Sequence, residues 1–155
     1  MSHTTGERSC PMSQASAAEV PEMRLELVPV PVSDVERAKA FYVQAGFHLE
    51  VDVHPAEGMR VIQFTPPGSA CSIVFGTGMG ELTDMTPGFV RGLHLVVANM
   101  EDARNALLRR GVAVEEITNV GGVKYANFRD PDGNLWLLQE FPPAMRTPGQ
   151  SFYQQ

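Results

Sequence analysis

At 155 residues, 43% apolar and 19% charged, the chain has the size and make-up of about one globular domain with a sizeable core, and disorder throughout is excluded. A net charge of -6 and a pI near 5.1 give no global attraction to phosphate backbones or anionic lipid. That argues against nucleic acid and membrane surfaces as partners and favours a small neutral or cationic ligand.

Taken in chain order, the first 22 residues are rich in Ser, Thr, Ala, Pro and Glu and lack the apolar core of a signal peptide. No later run reaches the ~18 residues that span a bilayer. Residues 1–22 therefore read as a disordered N-terminal tail, and the protein as cytoplasmic. Cys10 stands in this polar stretch and Cys71 in an apolar run, with no spacing that suggests zinc or a disulfide framework, so Cys71 reads as a buried thiol.

"LELVPVPV" alternates into a strand that ends at Ser33, whose hydroxyl is placed to cap a helix with Glu36 at the capping-box position. Val35, Ala38, Phe41, Tyr42 and Ala45 recur at helical spacing, and Gly46 ends the helix. "FHLEVDVH" and "MRVIQFT" flank a "PAEG" turn as a hairpin, and "ACSIVF" is the last strand of a βαβββ unit. The segment 77–91, with three Gly and a Pro, suits a flexible crossover. "GTGMG" (76–80) has no following Lys-Ser or Lys-Thr and no capped helix, so it is read as linker and not as a phosphate loop.

A second series follows: strand "LHLVV", a helix from Met100 to Arg110 capped by Asn99, strand "AVEEIT", a "NVGG" turn, strand "VKYANF", a turn "DPDG" and strand "LWLLQ". Asp-Pro-Asp-Gly is the chemistry of a type I turn. "VSDVERAKAFYVQAGF" and "VANMEDARNALLRRGV" lie 65 residues apart, as Val32 and Val97 mark, and the same offset maps "TPPGSACSIVF" onto "DPDGNLWLLQE". Two copies of one unit are expected, with almost no net insertion. Each sheet has one face for its helix and one left open, and two open faces can enclose a cavity. The expected class is α+β, two tandem βαβββ modules forming a cupped mixed sheet around a cavity. Module one is 24–76, the linker 77–91 and module two 92–141, within a domain of 23–141. Residues 142–155 form a C-terminal tail in which Phe152 and Tyr153 are available to dock on a neighbour.

With both modules in order over about residues 24–141, "VSDVERAKAFYVQAGF" resembles the first-module helix signature, and "FRDPDGNLWLLQE" the closing turn and strand, of the vicinal oxygen chelate superfamily. That superfamily holds glyoxalase I, extradiol dioxygenases and bleomycin-resistance proteins. Its scaffold hosts isomerases, lyases, dioxygenases, thiol transferases and plain binding proteins, so the resemblance fixes fold more than function. In metal-dependent members the ligands stand seven residues before the helix cap and four after the turn glycine. Carried over, these positions are Leu27, Ser72, Gly92 and Leu137, and none offers His, Glu or Gln. A catalytic divalent metal needs about three such donors, so neither metal nor other cofactor is expected.

Strand parity lines the cavity with Leu27, Ser72 and Val74 from the first module and His94, Val96, Leu137 and Gln139 from the second, beside Pro29, Pro31 and Gly92. The result is a largely apolar pocket, as ligand sites commonly are. His94, the one titratable member, is the candidate catalytic residue, either a general base or a hydrogen-bond anchor; satisfaction by a neighbouring strand or water is the alternative. Asp52 and Arg60 suit a cross-strand ion pair better than a ligand clamp. Parity leaves Glu50, Arg60, Gln63, Lys124 and Tyr125 open, with Tyr125 available as an acid.

Three functions follow. The first is a metal-independent glyoxalase/bleomycin-resistance-like protein that binds a largely apolar small molecule between its modules. The second is a metal-free isomerase, lyase or cyclase using His94 as base; the third, a metal-dependent lyase or dioxygenase with displaced ligands such as His94 with Glu140 or His54. The resemblance also implies a homodimer, with the cavity within one chain or shared between two.

Overall fold

The computed structural model describes residues 19–146. Cys10, most of the N-terminal stretch, Phe152 and Tyr153 lie outside the described residues. In chain order the elements are β1 (Leu27–Pro29), α1 (Val35–Gln44), β2 (His48–Val53), β3 (Arg60–Thr65), β4 (Ser72–Thr77) and the single turn α2 (Glu81–Asp84). Then come β5 (Arg91–Val96), α3 (Met100–Arg109), β6 (Thr118–Val120), β7 (Val123–Arg129) and β8 (Leu135–Glu140), with a closing 3-10 turn at Pro143–Met145. The strands make two four-stranded mixed sheets, ordered β1-β4-β3-β2 and β5-β8-β7-β6. In each, the first strand runs parallel to the last and the remaining pairs are antiparallel. This is the α+β fold of two tandem βαβββ modules that the repeat implies.

Local chemistry explains where the elements begin and end. Asp34, in extended backbone, caps α1 by accepting from the Arg37 amide at 3.0 Å. The cap is thus one residue later than the sequence reading placed it. Ser33 donates instead to Asp132 across the module junction, and Glu36 pairs with Arg60. Asn99 caps α3 in the same way, accepting from Asp102 N at 2.9 Å. Gly46 and Gly111, at φ 90° and 83°, end the two helices in the left-handed conformation that favours glycine.

Two boundaries differ from expectation. The run 113–118 forms only an isolated bridge at Val114, and β6 begins at Thr118. The carbonyls of Val114 and Glu115 are taken by the Arg104 guanidinium of α3, at 3.2 and 2.8 Å, which ties that segment to the helix. Asn119 and Val120 belong to β6, and Gly121–Gly122 alone make the turn. The repeat offset also changes along the module. It is 65 at the helix caps, Asp34 and Asn99, but 63 at the last strands, where buried Ile73 corresponds to buried Trp136 and Val74 to Leu137. The two turns match as sequence, yet β8 starts at Leu135, two residues after Gly133, and β4 only at Ser72, four after Gly68.

One core serves both modules. Tyr42 of α1 lies 5.8 and 5.7 Å from Phe64 and Phe75 of the first sheet and 6.0 Å from Trp136 of the second, measured between ring centroids. Phe41 meets Phe128 at 6.5 Å. Full burial of such side chains contributes about 1.5–3 kcal/mol each. A polar network pins the junction: Tyr42 Oη donates to Asp130 at 2.9 Å and accepts from Trp136 Nε1 at 3.1 Å. Asn134 Nδ2 donates to Asp130 at 2.7 Å and to the Pro31 carbonyl at 2.8 Å. Burial first, and then the Asp130 charge, push the Tyr42 phenol well above its ordinary pKa. The linker is fastened to the same junction at Gly88, whose amide donates to Pro31 O and where a Cβ would lie 2.1 Å from Asp132 O.

Candidate functional site

The contacts between modules run through α1, the β1–α1 loop and the β7–β8 turn, on the helix-covered side of both sheets. The opposite faces are open, and the strand registers say which side chains share them. On the first sheet Leu27 pairs with Ser72, Pro29 with Val74 and Val74 with Gln63. Ser72 and Val74 are buried among their neighbours, and the Ser72 and Thr65 hydroxyls are 2.7 Å apart. On the second sheet His94 pairs with Leu137 and Leu137 with Asn127, while Val96 pairs with Gln139 and Gln139 with Tyr125.

Polar side chains converge on the second face. His94 Nδ1 lies 2.7 Å from the Gly92 carbonyl. A carbonyl only accepts, so Nδ1 carries the proton, and in the neutral ring Nε2 keeps a lone pair. The His94 and Tyr125 rings stand edge to face, 6.2 Å between centroids, and Gln139 Nε2 donates to the Tyr125 hydroxyl at 3.2 Å. Of the second-module residues picked from sequence, His94, Leu137 and Gln139 thus come together, with Tyr125 added. The sequence left Tyr125 open because parity along β7 depends on where its ladder with β8 begins. The buried pairing of Phe128 with Trp136 sets that register. Leu27, Ser72 and Val74 form a separate group on the first sheet.

Other candidates lie elsewhere. Arg60 and Asp52 form the cross-strand pair, Nε–Oδ1 and Nη2–Oδ2 both at 3.0 Å, on the helix side beside Lys39 and Glu36. The Arg60 guanidinium, and after it Lys39, hold the Asp52 carboxyl well below the usual range. Lys124 binds Glu101 at 3.0 Å and Glu140 at 3.6 Å, also on the helix side, and the Glu101 contact raises its pKa. Glu50 is exposed, 3.9 Å from His48, and Cys71 is half-buried rather than the buried thiol the sequence suggests.

Metal-ligand chemistry does not fit the four carried-over positions. Leu27 and Leu137 are hydrocarbon and Ser72 is bonded to Thr65. Gly92 sits at φ 95° where the β5–β8 register shifts, a conformation that any ligating side chain would strain. Glu140, one displaced ligand considered for His94, accepts from Met100 N on the other side of the sheet, and His54 is exposed at the tip of the first hairpin. No group of three or more His, Cys, Asp or Glu among the described residues is placed to hold a metal ion.

A cavity of about 770 Å³ lies on the helix side, lined by Phe47, Pro66–Ser69, Ala103, Ala106, Leu107, Phe128 and Leu138. It reaches the edge strand at His94 and Val96, the only two of the seven predicted ligand-binding residues on its wall.

Two βαβββ units whose sheets each keep one open face define a paired-module scaffold. Residues 24–138 match the Glyoxalase/Bleomycin resistance protein/Dioxygenase superfamily, and the chain belongs to that superfamily. It is similar to TnmS3, an antibiotic binding protein from Streptomyces sp. CB03234, at 35% identity and a TM-score of 0.67, over 79% of this chain and 99% of that one. A glyoxalase/bleomycin resistance protein from the same strain is 38% identical with a TM-score of 0.61, over 74% and 98% of the two chains. A superfamily member from Sphaerobacter thermophilus is 29% identical with a TM-score of 0.66, over 77% and 98%. No curated protein matches the chain. No helix among the described residues is long and apolar enough to cross a membrane.

Proposed function

We propose that this protein binds a largely apolar small molecule without a metal, on the open face of the second sheet, and that the first-sheet face of a second copy covers it. The carrying observation is the convergence of His94, Tyr125 and Gln139 around Leu137 and Val96 on a face that the chain's own packing leaves free. The likeness to an antibiotic binding protein at 35% identity supports the ligand class. The donor set at Leu27, Ser72, Gly92 and Leu137 supports metal independence. In this reading Leu27, Ser72 and Val74 of one protomer close over His94, Val96, Leu137 and Gln139 of its partner, in a C2 dimer with two equivalent sites.

The test is complementation between copies, scored by uptake of an apolar antibiotic panel in native mass spectrometry. Leu27→Glu and Leu137→Glu each abolish uptake alone. Co-refolded, they regain roughly a quarter of the wild-type sites, because half of randomly mixed dimers carry one undamaged site of two. A monomer that binds normally, or a mixture that regains nothing, overturns the shared site; stoichiometric metal overturns the metal-free reading. The lone pair on His94 Nε2 also favours a second reading, general-base catalysis on an activated substrate. Turnover of a bound compound that is lost in His94→Ala would establish it.

A further inference from the structure

Resting on that reading, we propose that the site selects uncharged planar ligands carrying a hydroxyl donor beside a carbonyl acceptor, the hydroxyl donating to His94 Nε2 and the carbonyl accepting from the Tyr125 hydroxyl. The hydrogen-bond inventory makes the assignment. His94 Nδ1 is committed to the Gly92 carbonyl, so the imidazole presents an acceptor, with its orientation fixed by the backbone. Tyr125 Oη already accepts from Gln139 Nε2, an amide nitrogen that only donates, so its own proton is free for a ligand. Gln139 is the positioning residue that leaves Tyr125 a donor. The pair is therefore one acceptor and one donor, on rings 6.2 Å apart, spanned by oxygens on neighbouring carbons.

The surroundings fix the rest of the ligand's character. Gly92 has only the His94 ring and a Leu137 methyl within 4 Å of where a Cβ would stand, which leaves a flat apolar floor. The cationic groups at the ends of this face are turned to backbone: Arg91 donates to the carbonyls of Gly88 and Val90, and Arg129 to that of Gly133. An anionic ligand gains no free guanidinium from them. A planar, neutral hydroxy-ketone satisfies both polar groups and covers Leu137 and Val96, whereas a simple hydrocarbon leaves a desolvated imidazole and phenol unpaired.

The probe is 3-hydroxyflavone, whose hydroxyl bonds its own carbonyl and then emits green after excited-state proton transfer, but emits blue when bonded to an external acceptor. Wild-type protein is expected to bind it with blue emission, and to bind 3-methoxyflavone about tenfold more weakly, the loss of one well-made hydrogen bond in a desolvated site. His94→Leu is expected to weaken flavonol binding by a similar factor, restore green emission and leave methoxyflavone binding unaltered. Tyr125→Phe weakens both flavones. Gln139→Glu is expected to weaken both more than Gln139→Leu, because a carboxylate captures the Tyr125 proton, an effect that loss of packing alone does not produce. Green emission from bound flavonol, or equal affinity for the two flavones, overturns the proposal. Failure to take up either flavone while the antibiotic panel still binds overturns the ligand class alone. Failure to take up any of these compounds overturns the binding reading beneath it.

Discussion

The two ends of the module junction share one backbone plan and differ in how they are filled. At one end the β7–β8 turn meets the β1–α1 loop, and Phe41, Tyr42, Asp130 and Asn134 close the gap with rings and buried hydrogen bonds. At the other the β3–β4 turn faces the β5–α3 loop, and the helix positions equivalent to Phe41 and Tyr42 are Ala106 and Leu107. There the 770 Å³ cavity remains. Topology therefore brings the elements together, while side-chain volume and polar complementarity decide whether the contact is sealed.

The largest expected effect comes from unsealing the closed end. Asp130 is 4% exposed and accepts from Tyr42 Oη, Asn134 Nδ2 and the amides of Asp132 and Asn134. Asp130→Ala strands these donors away from water and should cost about 3–4 kcal/mol in urea unfolding. Thr65→Ala, at the matching turn position of the open end, removes one hydroxyl contact and should cost under about 1 kcal/mol. Equal costs would mean that the two ends are alike in energy and that the contrast is only one of shape.

Much of this was legible in the sequence, and the failures have physical causes. Helix periods, paired caps and the Asp-Pro-Asp-Gly turn are local signals, so both modules and the inward direction of Trp136 and Leu138 could be read directly. The Asp52–Arg60 pair was equally accessible, because a short hairpin fixes its own register. The network of Tyr42, Asp130 and Asn134 was not, since its partners lie 88 residues apart in sequence for Tyr42 and Asp130 and carry no local pattern. Ser33 was taken for the cap because Ser and Asp are both good capping residues and only the tertiary contact with Asp132 separates them. The candidate site was half visible: parity found His94, Leu137 and Gln139, but the direction of each hydrogen bond needed coordinates.

The second contrast is between the opening strands. β1 pairs in regular register, whereas β5 shifts at Gly92. Gly92→His restores the residue type that metal-dependent relatives of the fold would use, yet it forces φ 95° on an L side chain. The expected result is about 1–2 kcal/mol of destabilisation and no bound zinc after desalting, read by thermal unfolding and elemental analysis. Stoichiometric zinc would show that a side chain alone, without the strand geometry, is enough to rebuild the site.

Filling the open end tests whether its cavity is packing or function. Ala106→Phe copies Phe41 into α3 and should bury its ring against Phe128 and Leu138, adding about 1 kcal/mol of stability once strain is subtracted. Ligand uptake should persist, because the His94, Tyr125 and Gln139 face lies across the sheet from the filled space. Uptake lost in a variant that is more stable than wild type would move the binding site into the cavity.

The smallest effect separates the two halves by pH. Each module ties a helix acid to a strand cation, Glu36 to Arg60 in the first and Glu101 to Lys124 in the second. Only the first adds Asp52, held between Arg60 and Lys39. Its pKa is depressed in the folded protein, so its stabilisation is complete above the unfolded carboxylate value and fades as pH falls below it. Lys124 is shifted the other way, so its contribution persists through neutral pH and is lost only as pH rises past the ordinary lysine range. Asp52→Asn should therefore lower stability by about 1 kcal/mol at pH 7, in the range of a well-placed exposed pair, and by progressively less from pH 5 to pH 3. Lys124→Met should give a constant offset over that interval. Parallel melting-temperature curves for the two variants across acid pH would mean that Asp52 is no more tightly held than the surface pairs of the second module.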